Sequence, residues 1–104
     1  MFLAEAGGRL VGFASLRLVP YLSDDVPLAE LTELYVDTSY RRRGIGRALV
    51  ARVEALAHER GATSLHLLTG LRNAEAQAFY RALGFSDLAL AMAKSLRGTE
   101  ATGR

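Results

Sequence analysis

Two groups of residues in this chain have the types and spacing for chemistry. The first is Arg41, Arg42, Arg43, Gly44, Ile45, Gly46 and Arg47, three consecutive arginines and a fourth that flank two glycines. Glycine lets a bulky anion approach the main chain with no Cβ in the way. The arginines add formal charge around the same point. If a helix starts there, its first turn offers unpaired N–H groups and roughly half a positive charge from the helix dipole. The natural guest is a phosphate or pyrophosphate. The second group is the pair of carboxylates Glu30 and Glu33 just upstream. A carboxylate half-buried on a strand has its pKa raised by desolvation, which suits a general base working near neutral pH.

The elements that must position these residues can be read from pattern. Ala29–Val36 is rich in apolar and β-favouring residues and predicts a strand. On a regular strand Glu30 and Glu33 fall on opposite faces, so one of them faces the sheet interior or a cleft unless a bulge intervenes. Glu33 is the first choice for a base and Glu30 the second. The plainer alternative for either is a cap on a sheet edge or a pair with an arginine. Asp37–Tyr40 is polar and turn-prone. From Gly44 to Arg60 the apolar positions Ile45, Leu49, Val53 and Leu56 recur at helical spacing. Gly61 ends that helix, with His58 and Arg60 in its last turn. His58 is given no chemistry.

Before the strand, Phe2–Ala6 and Arg9–Val19 flank Gly7-Gly8, which predicts a hairpin because tight hairpin turns need positive φ. Leu10, Gly12, Ala14, Leu16 and Leu18 form the smaller and more uniformly apolar face of the second strand. Gly12 inside it points to a close neighbour or a bulge. Pro20–Pro27 reads as a loop. Its Asp24 and Asp25 are simplest as solvated charges, with attraction of a cationic amine as the functional alternative. After the helix, Thr63–Thr69 predicts a strand with Leu65, Leu67 and Leu68 as core candidates. His66 lies on its other face, where a sheet-face histidine is commoner than a proton acceptor. Asn73–Phe85 predicts a second helix, with Asn73 as N-cap and Gly84 as terminator. Asn73 and Tyr80 sit two turns apart on one side of it. Asp87–Leu96 predicts a last strand.

Which phosphate carrier would fit? A P-loop would need Gly-Lys-Ser/Thr, which is absent, and a dinucleotide fingerprint would need a third glycine where Leu49 stands. What remains is Arg41-x-x-Gly44-x-Gly46 after Leu34-Tyr35-Val36. This resembles the acetyl-coenzyme A site of the GNAT family of N-acetyltransferases. Asn73-x-x-Ala76-x-x-Phe79-Tyr80-x-x-x-Gly84-Phe85 resembles that family's second signature block, in the right order along the chain.

The resemblance spans Phe2 to Leu96 and implies an α/β fold. Its sheet would be mixed and mostly antiparallel, with flanking helices and a splayed central strand pair that admits acetyl-CoA. It implies that backbone groups of Leu34, Tyr35 and Val36 bind the pantetheine arm, and that the segment Arg41, Arg42, Arg43, Gly44, Ile45, Gly46 and Arg47 holds the pyrophosphate. It further implies that Asn73 contacts the pantetheine and that Tyr80 protonates the departing thiolate, with Glu33 as base. A phenol with pKa near ~10 is a sensible donor to a thiolate. The function implied is acetyl transfer from acetyl-CoA to a primary amine of a small molecule or peptide, with no metal. A catalytically silent acyl-CoA-binding module is the alternative, and a phosphate-binding structural domain a more distant one.

The composition fits one small domain over residues 1–96 followed by a disordered polar tail, 97–104. Thirteen basic residues against eleven acidic give a net charge of +2, too balanced to argue for nucleic acid. With no cysteine there is no disulfide, thiolate metal site or cysteine nucleophile. No apolar stretch approaches the ~20 residues of a membrane span, and no signal-peptide layout is present, so a cytoplasmic protein is the expectation. Relative to the family, the chain lacks the usual N-terminal strand and helices. It would be a fragment, a reduced member, or one that borrows its missing wall from a second subunit. The sheet edge left open predicts a homodimer. Some relatives that acetylate protein N-termini place a glutamate where this chain has Leu68, so that arrangement is not expected.

Overall fold

The Gly7-Gly8 turn closes the first hairpin as its sequence requires, with φ of 59° and 78°. It joins β1 (Phe2–Ala6) to β2 (Arg9–Val19), and β3 (Leu28–Val36) follows. A 3₁₀ turn (Thr38–Tyr40) leads to α1 (Ile45–Glu59), then β4 (Leu65–His66) and α2 (Ala74–Ala82). The computed structural model describes residues 1–19 and 26–98. Most of the Pro20–Pro27 loop, with Asp24 and Asp25, and nearly all of the expected tail lie outside the described residues. The chain divides into two compact units, Met1–Thr69 and Gly70–Arg104.

The first unit holds a four-stranded sheet in the order β1-β2-β3-β4. β1, β2 and β3 are antiparallel neighbours, and β3 and β4 run parallel. The sheet is thus mixed and mostly antiparallel, with α1 on one face. Gly12 shows why that approach works. A Cβ there would come within 2.8 Å of the Tyr35 carbonyl oxygen and 3.4 Å of Leu49 Cδ1. Small residues continue the contact surface: Ala29, Ala57 and Ala62 cluster, with Leu16, Leu18 and Leu65 against them. The helix buries Leu49, Val50, Val53 and Ala57. Its buried stripe therefore turns toward Val50 and Ala57, and Leu56 is only half-buried. At its end Gly61 takes φ 92°, while Gly61 N–H bonds the His58 carbonyl and Ala62 N–H that of Ala57. That double bond is the helix stop expected of a left-handed glycine, and it brings Ala62 into the core.

Both long strands carry an extra residue. In the β1–β2 ladder the register passes from Ala4↔Gly12 to Glu5↔Leu10, which leaves Val11 over. Val11 is thereby turned into the core at 1% exposure, and Leu10 is turned out. In the β2–β3 ladder Ser15↔Glu33 gives way to Leu16↔Leu31, which leaves Thr32 over. Such bulges re-aim the side chains beyond them.

Two expected strands are shorter than their sequence suggests. Of Thr63–Thr69 only Leu65–His66 pairs, through Ala29↔Leu65 and Glu30↔His66. Leu68 is 76% exposed and is no core residue. Asp87–Leu96 forms no strand, and Leu88, Leu90, Met92 and Leu96 are all exposed. A strand is defined by its partner, and apolar alternation alone cannot supply one. No helix among the described residues is long and apolar enough to cross a membrane.

Candidate active site

The site in the first unit is built where β3 hands over to α1. Past Glu30, β3 has no strand beside it on the β4 side among the described residues, because that ladder ends after its second pair. Leu34, Tyr35 and Val36 therefore run along a sheet margin that is open over its last turn. Among the described residues the central strand pair is thus joined only at its start. A chain of amide groups laid there could bond β3 in the manner of an added strand.

The turn that follows is braced. Asp37 N–H bonds the Val11 carbonyl at 2.7 Å, closing the end of the sheet. The Asp37 carboxylate accepts from Ser39 N–H and Ser39 Oγ, both at 3.1 Å, and pairs with Arg9 at 2.7 Å. Those partners hold its carboxyl below the usual carboxylate range, with the Ser39 backbone hydrogen bond the largest cause. Arg41 Nε donates to the Val36 carbonyl at 3.0 Å, which pins the segment back onto β3. Arg43 stacks its guanidinium 5.0 Å from the centre of the Tyr40 ring. Of the expected cluster, Arg42 and Arg47 are exposed and form no salt bridge among the described residues.

The backbone here alternates in handedness. Arg42 has φ 65° and Gly44 φ 82°, with Arg43 between them on the ordinary side. A non-glycine residue in that region is held against a penalty of about 1–2 kcal/mol. Alternation of handedness is the backbone pattern from which concave anion-binding seats are built. Gly44 is also the N-cap of α1, and the first bond of the helix ladder is Ala48 N–H to the Gly44 carbonyl at 3.0 Å. The amides of Ile45, Gly46 and Arg47 thus have no partner within the helix. Nothing lies within 4 Å of where a Gly44 Cβ would sit, so the approach is open.

The glutamates depart from the expectation for a regular strand. With Thr32 as the extra residue, Glu30 faces Arg17 across the ladder and Glu33 faces Ser15. Both carboxylates therefore lie on the same face, the one opposite α1. Glu30 meets the Arg17 guanidinium at 2.6 Å, so its plainer alternative holds. Glu33 accepts from Ser15 Oγ at 3.0 Å and is exposed rather than half-buried. Phe13 and Tyr35 pair on the same face, ring centres 5.7 Å apart. His66 sits 3.2 Å from Ser64 Oγ through Nε2 and touches neither glutamate by a hydrogen bond among the described residues. Ser15 and Thr32 were not singled out by sequence, although the break in apolar alternation between Leu31 and Leu34 marks the bulge that aligns them.

The second unit carries Asn73 and Tyr80. Asn73 caps α2 through its side-chain oxygen, which accepts from Ala76 N–H at 3.1 Å. Its amide NH₂ has no hydrogen-bond partner among the described residues. Gln77 binds the loop back, donating to the carbonyls of Gly70 and Leu71 at 2.7 and 3.0 Å. Tyr80 lies edge-on between Phe79 and Phe85, ring centres 5.2 and 5.7 Å away. Gly84 at φ 102° brings Phe85 round, and Phe85 N–H bonds the Tyr80 carbonyl. This apolar surround pushes the Tyr80 hydroxyl above its ordinary pKa, so it stays a protonated donor. No group of histidines and carboxylates suited to a metal occurs among the described residues.

A family model described as "Acetyltransferase (GNAT) family" matches residues 1–85. An aminoglycoside N(6′)-acetyltransferase type 1 of Stenotrophomonas maltophilia is 35% identical over 91 residues, which cover 84% of this chain and 60% of that one. The [ribosomal protein bS18]-alanine N-acetyltransferase of Escherichia coli K12 is 33% identical over 86 residues, 83% of this chain and 54% of that one. Among solved structures, an aminoglycoside N-acetyltransferase in complex with CoA superposes with a TM-score of 0.80 at 28% identity, covering 91% of this chain and 64% of that one. The chain thus spans little more than half the length of these curated relatives.

Proposed function

The chain belongs to the acetyltransferase (GNAT) family, and from that premise we propose that it moves the acetyl group of acetyl-CoA to a primary amine. The observation that carries this reading is the mouth of α1. Arg42 and Gly44 are left-handed, and the first-turn amides have no partner within the helix, beside Arg42 and Arg47. These features suit a diphosphate, the part of coenzyme A that most needs donors.

In this reading the amides from Arg42 to Arg47 hold the diphosphate, and Arg41 and Arg43 shape the loop. Leu34, Tyr35 and Val36 bond the pantetheine arm through the open margin of β3, and Asn73 offers its amide to the same arm. An amide at that margin polarises the thioester carbonyl. The neutral amine attacks the carbonyl carbon and its C–N bond forms. Glu33 takes the proton the nitrogen loses. The C–S bond breaks, and Tyr80 gives its phenolic proton to the leaving sulfur. Orientation and the preorganised donor at the carbonyl supply most of the acceleration.

Acceptors in the relatives named above are an aminoglycoside and a ribosomal-protein alanine. A small-molecule or peptide amine is accordingly the acceptor class proposed here, with the cytoplasm as the expected compartment. The outer edge of β1 has no strand beyond it among the described residues and exposes Leu3, and we read it as a pairing edge for a second copy. Sedimentation should then show a concentration-dependent dimer, and a monomer at every concentration would exclude the pairing. The activity is tested by thiol release from acetyl-CoA against a panel of aminoglycosides, polyamines, amino acids and peptides. Amine-dependent release is expected. Coenzyme A binding with no release for any amine would leave a binding module in place of an enzyme.

A further inference from the structure

Outside the glycine turn, the sheet face opposite α1 carries a short relay of hydroxyls that ends on Glu33. Ser15 stands directly across the ladder from Glu33, and its Oγ lies 3.0 Å from Glu33 Oε1. An ionised carboxylate has no hydrogen to give, so Ser15 is the donor. That commits its one hydrogen. The second bond, between Thr32 Oγ1 and Ser15 Oγ at 3.1 Å, must then have Thr32 as donor. The Ser15 carbonyl, 3.3 Å from the same Thr32 hydroxyl, can only accept, so the single Thr32 hydrogen is shared between the carbonyl and Ser15 Oγ. The relay therefore runs one way, from Thr32 to Ser15 to Glu33.

The bulge makes this possible. In an unbroken strand, alternation would turn Glu33 to the α1 face. The extra residue leaves Thr32 and Glu33 both within reach of one serine. Glu30 is not equivalent, because Arg17 holds it by two contacts to a single oxygen, at 2.6 and 3.1 Å. Glu33 is held by Oε1, and Oε2 has no hydrogen-bond partner among the described residues.

We propose that Ser15, itself fixed by Thr32, is a positioning residue that orients the Glu33 carboxylate and leaves Oε2 to take the amine proton. This rests on the reading of Glu33 as the base. Ser15 does not touch the substrate in this account. It narrows the rotamers of a side chain with three rotatable bonds, so that a larger share of encounters is productive.

The test has two arms. Three-bond NMR couplings to Glu33 Cγ, in full-length protein carrying labelled glutamate, report whether that side chain keeps one rotamer. A single rotamer is expected in the parent protein, averaging in Ser15→Ala and restoration in Ser15→Thr. Averaged couplings in the parent, or no change in Ser15→Ala, would overturn the proposal whatever the acceptor. Turnover with the fastest acceptor among kanamycin, spermidine and an alanine-terminated peptide forms the second arm. Glu33→Gln should lower kcat about a hundredfold or more. Ser15→Ala should lower it about tenfold with KM for acetyl-CoA unchanged, and should add nothing to Glu33→Gln. Losses that multiply in the double variant would refute the positioning role, whereas unchanged turnover in Glu33→Gln would refute the base reading beneath it.

Discussion

Gly44→Ala separates what the glycine does for the fold from what it does for the ligand. In the free protein the new methyl group meets nothing within 4 Å, so there is no steric term. The remaining penalty is that of holding alanine at φ 82°, about 1–2 kcal/mol. For a domain of this size each kcal/mol lowers the melting temperature by about 4–8 °C. The variant should therefore still fold. Binding is another matter, because the methyl group would stand where a diphosphate meets the amides of the first turn. Loss of one charge-assisted hydrogen bond there is worth about 1.5–3 kcal/mol, or roughly a 10- to 150-fold weaker Kd. Calorimetry with coenzyme A, beside thermal unfolding of the same samples, reads both quantities. A folded Gly44→Ala protein that binds coenzyme A as tightly as the parent would refute the reasoning, since the open seat would then hold nothing.

Three further outcomes follow from other parts of the chain. Tyr80→Phe should lower kcat with little change in coenzyme A affinity. Because burial raises the Tyr80 pKa above 10, its neutral form favours the fold below that pH. That contribution is lost only as pH rises through the folded value, so phenolate absorbance of Tyr80 should emerge above pH 10, and its appearance below would contradict the burial. The carboxyl of Asp37 is lowered from 3.8, chiefly by the Ser39 N–H, so its contribution is complete above that value and lost as pH falls through the lower folded one. The stability gap between parent and Asp37→Asn should be constant near neutrality and close below about pH 4. Gly12→Ala would press a methyl group to 2.8 Å from the Tyr35 carbonyl, and should destabilise by about 1–3 kcal/mol in a denaturant titration.

Sequence carried much of the architecture because its punctuation is chemical. Gly7-Gly8, Gly61 and Gly84 all take the positive φ that their turns and helix ends demand. Asn73 caps the helix its side chain was suited to cap. The strand-to-helix turn was legible for the same reason, with Gly44 left-handed at the head of α1. Pairing was harder to read. The alternation in Thr63–Thr69 and Asp87–Leu96 looks like strand, yet a ladder depends on a neighbour remote in sequence, and only Leu65–His66 finds one. Glu30 and Glu33 share a face because the bulge at Thr32 breaks the regular alternation that would otherwise part them. The phase change from Ala29 and Leu31 to Leu34 and Val36 was the visible trace of the bulge. Nothing local marked Ser15, whose meaning comes from its register partner across the sheet.

The most direct measurement follows the backbone amides of Arg42 to Arg47 by NMR while coenzyme A is added, and repeats the titration with pantetheine, which has no diphosphate. Coenzyme A should move the resonances of Gly44, Ile45, Gly46 and Arg47, and pantetheine should leave them in place. Coenzyme A that binds while those four amides stay unmoved would contradict the diphosphate reading of that turn.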